Sequence, residues 1–450
     1  MGRASAIVLA IAGLAATWAV PGSASTPSSD ARRVPDLPRY RVALTSDDRG
    51  FVWRGTERVS FRNDSDAPLG LVWVRLWDEG IRGCRTDAER IWNLSGGTAG
   101  APEVRCSSVP ITLDQPVAPG ARGGFAFDLA IDVPARNDRF GHDGPVAMIG
   151  NALPVLAIRD GEGWHLDPYS VVGDSFYSQV ADWRVALDHP VAIRVPATGV
   201  GTDGPRHGDR VTTTYVAPRV RDFGWVAGPL GEVDGRDANG VLIRTWFAPE
   251  FSAARARTAL AAAERTTVAD AASLGAYPYP ELDVVLVHIA YGGMEYPTLV
   301  MTEPTTGTVV HEVSHQWWYG MVGDDQFGAP WLDEAFATYT TGEILRPGRE
   351  SCVPRFFADG DRVTDGLDYW DLHPGRYFAV VYGDGACALH RLTAILGAER
   401  MAALMRSYWT AHRFGWSTTA AFQDAAQHAA NGLPHPKDLT AFWDRFRIGS

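Results

Sequence analysis

His311-Glu312-Val313-Ser314-His315 sets two imidazoles four residues apart in a stretch with helical apolar spacing, so both project from one face, one turn apart. That separation suits a shared metal ion. Glu334 follows His315 after 18 intervening residues, in Trp331-Leu332-Asp333-Glu334-Ala335-Phe336, which reads as a helix start and would bring a carboxylate from a second helix. Two histidines and one carboxylate leave a fourth position for water, the ligand set of a catalytic rather than a structural zinc. Glu312, beside the first ligand, is placed to act as general base. With 12 His in 450 residues, the five-residue pattern arises by chance in about one to two chains in a hundred of this composition. A glutamate at the added spacing lowers that by about another order of magnitude. The expected site is therefore one Zn²⁺ per chain on His311, His315 and Glu334.

Around this motif the sequence resembles the aminopeptidase N family of zinc exopeptidases, gluzincins with a thermolysin-like catalytic domain. Tyr291-Gly292-Gly293-Met294-Glu295-Tyr296-Pro297 is similar to that family's G-x-M-E-N exopeptidase motif. The residues from His311 to Gly320 and from Trp331 to Ala337 continue the likeness, and Tyr382-Gly383-Asp384-Gly385-Ala386 is similar to the Y-x-x-G-A segment that carries the family's catalytic tyrosine. The resemblance covers residues 270–410 and implies roles for individual side chains. Glu295 would recognise a substrate's free α-ammonium, Gly292, Gly293 and Met294 would lie along the peptide, and Tyr382 would donate a hydrogen bond to the developing oxyanion. Three departures stand out. Tyr296 replaces the motif's final Asn, Asp384 replaces a common Lys, and the sequence ends at Ser450, before the large C-terminal helical domain of many members. The last departure implies a short form with a more open active site.

These roles agree with elementary chemistry. A carboxylate at position 295 favours a chain end over a chain middle, because an internal peptide has no cation to pair with a buried negative charge. The function implied is a secreted zinc aminopeptidase that hydrolyses N-terminal residues from peptides with a free N-terminus through a zinc-activated water. A zinc endopeptidase would use the same metal site if Glu295 did not face the non-primed end of the cleft. A peptide-binding protein with a degenerate site is the third reading, and the weakest, since every ligand and base position is occupied.

Such groups need elements to hold them. Between Tyr40 and Trp246 the chain is expected to be β-rich: short alternating or β-branched segments such as Tyr40–Leu44, Gly70–Leu76, Gly124–Ile131 and Val191–Val195 are separated by Gly, Pro, Asn and Asp clusters. From Ser252 to Leu274 the sequence is Ala-rich and nearly free of breakers, as a long helix would be, and a strand is expected from Glu281 to Ile289. Helices are expected at 309–320, 333–345, 384–397, 399–412 and 418–430. The fold class expected is α+β: an antiparallel β-sheet domain over 39–246, then a mostly helical thermolysin-like catalytic domain over 247–450.

Composition narrows the setting. A net charge of −12, with 53 Asp+Glu against 41 Lys+Arg, lacks the basic footprint that binding to nucleic acid requires. Residues 1–25 combine Arg3, an apolar run from Ala6 to Val20 and small residues at Ser23, Ala24 and Ser25, the pattern of a secretory signal peptide. The run is shorter than the roughly 20 residues a spanning helix needs, so no membrane insertion of the mature chain is expected. Residues 26–38 read as a flexible leader. Export allows disulfides to persist, and Cys84 with Cys106 and Cys352 with Cys387 are the favoured pairs because each closes a loop inside one expected domain.

Overall fold

The structure is a computed structural model, and it describes residues 36–449 apart from residue 86, residues 349–351 and residues 354–359. The expected signal peptide and nearly all of the leader lie outside the described residues.

Alternation builds the N-terminal sheets. In Arg39–Ser46 the side chains of Tyr40, Val42 and Leu44 turn inward while their neighbours face solvent. This strand lies at the middle of a seven-stranded sheet, antiparallel to Val52–Arg62 and parallel to Ala181–Pro190. The other pairings of that sheet are antiparallel. The single parallel pair is allowed by the long connection between its strands, which passes through smaller sheets before returning in the same direction. Val191–Val195 is not a strand, as the alternation suggested, but the turn after Pro190: Ile193 N–H donates to Pro190 O at 3.2 Å, and Ile193 and Val195 are buried from there.

A second, five-stranded sheet carries the site. Its strands in spatial order are Gly231–Arg236, Leu242–Phe247, Glu281–Leu286, Leu299–Thr302 and Gly293–Met294, the middle three mutually parallel and the two edges antiparallel. Every residue of Glu281–Leu286 is buried, as expected for a central parallel strand covered on both faces. The boundary expected at residue 247 therefore falls inside a sheet, because Leu242–Phe247 pairs with Glu281–Leu286 beyond it. One hydrophobic cluster also continues from Tyr40 to Ile448. Fully buried Arg221 adds a polar clamp between the two regions, donating from Nε to Tyr319 O at 2.7 Å, from Nη1 to Ser178 O at 3.0 Å and from Nη2 to Gly415 O.

The helices start at their caps. Helix α1 (Ala253–Ser273) is capped by Ser252, whose Oγ accepts from Arg255 N at 3.3 Å, and α2 (Thr306–Ser314) by Thr305, whose Oγ1 accepts from Thr308 N at 3.2 Å. Helix α2 is shorter than the 309–320 span expected. Past His315 the hydrogen bonds widen to five residues, Gly320 N to His315 O and Met321 N to Gln316 O, and Tyr319 at φ +88° cannot continue a right-handed helix. Helix α3 (Trp331–Leu345) packs on α2, and helices at Gly385–Leu396, Ala398–His412 and Thr419–Asn431 follow close to their expected spans. Both disulfides form the local pairs expected, Cys84–Cys106 and Cys352–Cys387.

Candidate active site

The end of α2 and the start of α3 bring three ligand-type side chains to one point. His311 Nε2 lies 3.2 Å from Glu334 Oε2, His315 Nε2 lies 3.3 Å from the same oxygen, and the two imidazole nitrogens are 3.1 Å apart. Bonds of about 2.0–2.2 Å to a tetrahedral zinc would set neighbouring ligand atoms about 3.3–3.6 Å apart, so this triangle is close to the size the ion requires. His315 Nδ1 lies 3.2 Å from Trp318 O; donating its proton there leaves the Nε2 lone pair free toward the centre. The local backbone favours the arrangement twice, since His311 sits in the last turn of α2, where a cation is stabilised, and Glu334 in the first turn of α3, where an anion is.

Charge at the centre follows the same logic. Burial opposes ionisation of Glu334, yet the positive charge of His315 and hydrogen bonds from both imidazoles hold its carboxyl well below the usual range. Burial likewise opposes protonation of His315, but Glu334 raises it well above the usual imidazole value. The cluster stabilises positive charge at its middle, as a cation-binding site must.

Glu312 projects from α2 beside this triangle with 6% of its surface exposed. Burial lifts its carboxyl well above the usual range, with Glu295 and Glu334 adding to the effect against the pull of His315. Its oxygen packs directly on the edge strand: a Cβ added to Gly293 would lie 2.3 Å from Glu312 Oε1. The sequence suggested close approach of a peptide to Gly292 and Gly293, and the structure divides them. Gly293 makes room for Glu312, whereas Gly292, at φ +107°, is needed for its backbone conformation, a Cβ there meeting only Thr308 Cγ2 at an ordinary 3.6 Å. Met294 is buried.

Glu295 is 3% exposed and points toward His315 and Asp333, their ligand-type atoms all lying within 4.8 Å of one another. Two glutamines that sequence reasoning missed hold it. Gln326 Nε2 donates to Glu295 Oε1 at 3.3 Å and to Asp333 Oδ2 at 2.6 Å. Gln316 donates to the carbonyls of Glu295 and Tyr296 at 3.3 and 3.0 Å, and its Oε1 accepts from Thr298 N at 2.7 Å and Tyr277 Oη at 3.3 Å. Gln316 directly follows His315, so its place in the helical pattern could have marked it. Gln326 lies in a loop with no periodic signal.

Tyr296, the departure from the family motif, turns away from the cleft. It is fully buried, its hydroxyl donates to Asn151 Oδ1 at 2.6 Å, and a Cβ on Gly150 or Gly224 would collide with it or crowd it. Tyr382 lies in a wide helical segment, Phe378–Asp384, and its ring stacks on His311 with centroids 5.8 Å apart. Burial, then the nearby Glu334, raises its hydroxyl well above the usual phenol value, which keeps it a hydrogen-bond donor. Trp317 and Trp318 are packing residues, donating to Gly275 O at 2.8 Å and Thr340 Oγ1 at 3.0 Å.

No family model matches the chain. Aminopeptidase M1-B of Oryza sativa subsp. japonica is 28% identical over 205 residues, covering 38% of this chain and 23% of the rice protein. The chain thus matches about a quarter of that relative's length. An M1 zinc metallopeptidase of Deinococcus radiodurans superposes with a TM-score of 0.65 at 18% identity, over 88% of this chain and 91% of that one. A structure of a variant of the D. radiodurans enzyme with a Tyr-Ser-Ala substrate superposes with a TM-score of 0.61 at 17% identity, over 90% of this chain and 96% of that one. The chain therefore has the two-domain fold of the M1 zinc metallopeptidases, and part of it is similar in sequence to aminopeptidases.

Proposed function

We propose that the protein is a secreted zinc aminopeptidase, with His311, His315 and Glu334 as ligands of one zinc. The observation that carries this reading is the triangle of three ligand-type atoms 3.1–3.3 Å apart, with two buried carboxylates, Glu312 and Glu295, set beside it. Zinc held there would polarise the scissile carbonyl and acidify a water molecule. Glu312 takes the attacking water's proton and delivers it to the departing amine, a transfer suited to a carboxyl already inclined to bind a proton. Tyr382 donates to the oxygen on which negative charge develops. Glu295, fixed by Gln326 and the backbone contacts of Gln316, pairs with the substrate's α-ammonium, while the peptide runs along the edge strand at Gly292–Met294. The substrates are peptides with a free N-terminus. The two disulfides and the apolar N-terminal run support export, and among the described residues no helix is long and apolar enough to cross a membrane.

The test compares free and N-acetylated peptides on wild type and Glu295→Ala. A charge-assisted contact of this kind is worth about 1.5–3 kcal/mol, so Glu295→Ala should lower kcat/KM for free-amine substrates roughly 10–150-fold. Acetylation should cost the wild type at least as much. The two losses should not add, because either one removes the same pairing. Internal cleavage of acetylated peptides at the rate of free ones would make the protein an endopeptidase instead.

A further inference from the structure

We propose a second divalent-cation site, separate from the catalytic triad, formed by His165, Asp167 and Asp325. One ligand-type atom from each lies within 4.8 Å of the others. That is the widest spacing two ligands trans across one ion with bonds of about 2.1–2.4 Å can have. The three side chains come from both regions of the fold: His165 and Asp167 follow the short strand Gly163–Trp164, and Asp325 lies in the loop before α3.

The surroundings leave these groups free to take an ion. Asp167 contributes its backbone carbonyl to Arg75 Nη2, but its carboxylate makes no hydrogen bond among the described residues. The guanidinium of Arg75 is spent on the carbonyls of Asp167 and His165 and on Ser107 Oγ, and it lies 3.8 Å from the centre of the Trp77 ring. Asp325 Oδ1 accepts from Gly328 N at 3.1 Å, and the Phe327 backbone also bonds its carboxylate, which holds the group in the loop at this point. His165 is held by Asp160, whose Oδ2 lies 2.9 Å from Nε2, and stands edge-on to Tyr177. An imidazole oriented by a carboxylate is the usual partner arrangement of a metal-bound histidine. One nitrogen and two carboxylate oxygens suit Mn²⁺ or Zn²⁺ better than Ca²⁺, which prefers oxygen alone.

An ion here would tie the β-rich region to the loop that carries Gln326, the residue that holds Glu295 and Asp333. The site would thereby fix one wall of the cleft without touching substrate.

Mn²⁺ is the probe, titrated into the zinc-loaded full chain and followed by loss of the free-ion electron paramagnetic resonance signal, with zinc measured on the same samples. The expected result is uptake of one Mn²⁺ with zinc retained, weakened at least tenfold by Asp167→Asn and by His165→Gln, each of which keeps the far-ultraviolet circular dichroism of wild type. The His311→Ala variant should still take up Mn²⁺ at this site, so a failure of the catalytic-zinc reading would leave the result unchanged. No Mn²⁺ uptake, uptake matched by release of zinc, or equal affinity in wild type and both variants would overturn the proposal.

Discussion

At the scale of single residues, the proposed site separates groups that would hold a metal from groups that would use it. Glu312 is not part of the ligand triangle, and its carboxylate lies close against Gly293. Glu312→Gln should therefore retain full zinc content while kcat falls at least 10²-fold, since proton transfer by a placed base commonly contributes about 10²–10⁴. Zinc analysis together with steady-state kinetics checks this, and near wild-type turnover would mean that another base acts. The clustering of His311, His315 and Glu334 was legible from residue type and spacing, because i, i+4 geometry on a helix is local. The inward turn of Tyr296 was not: the Gly150, Asn151 and Gly224 that receive it come from distant parts of the chain.

At the scale of elements, the edge strand and α2 are matched through a missing side chain. Gly293 lies under the Glu312 carboxylate with no room for a methyl group. Gly293→Ala should displace that carboxylate and lower kcat about 10- to 100-fold with zinc content unchanged, because misplacing a reacting group by about 1 Å can cost 10²-fold. An unchanged kcat would show that the carboxylate can move aside without losing its function. Glycine-rich motifs announce close approach in the sequence, but they do not say what approaches. The elements themselves were largely legible. Ser252 and Thr305 cap helices near where the apolar periodicity begins, whereas the early end of α2 depends on the left-handed Tyr319, whose hydroxyl donates to Asp222 across the fold.

At the scale of the molecule, the interior contains carboxyl groups that burial keeps protonated. Asp270 on α1, beside Ser314 of α2, is raised to about 8 by burial, and Asp283 in the central strand is likewise raised to about 8. A carboxyl with a folded-state pKa near 8 and an unfolded value near 4 binds more protons in the folded state between those limits. Stability should fall as pH rises through that window and change no further above it. Asp270→Asn removes one such titration. The Tm of the variant minus that of wild type should therefore grow from about pH 4 to about pH 8 and then level off. A constant difference across thermal melts in this range would contradict the assignment.

Residue spacing on its own pointed to the proposed metal-ligand set and the proposed base beside it, and to the main helices and the local disulfide pairs, because each depends on periodicity or on short loops. Tertiary structure decided what spacing cannot encode. The strand Leu242–Phe247 joins the catalytic sheet because its partner is reached across α1, and Gln326 reaches Glu295 because the loop before α3 folds back over the cleft. His165 and Asp325 meet although 160 positions separate them in the chain. Contacts between residues far apart in sequence form only when the whole core is packed, so no local pattern of side chains could have announced them.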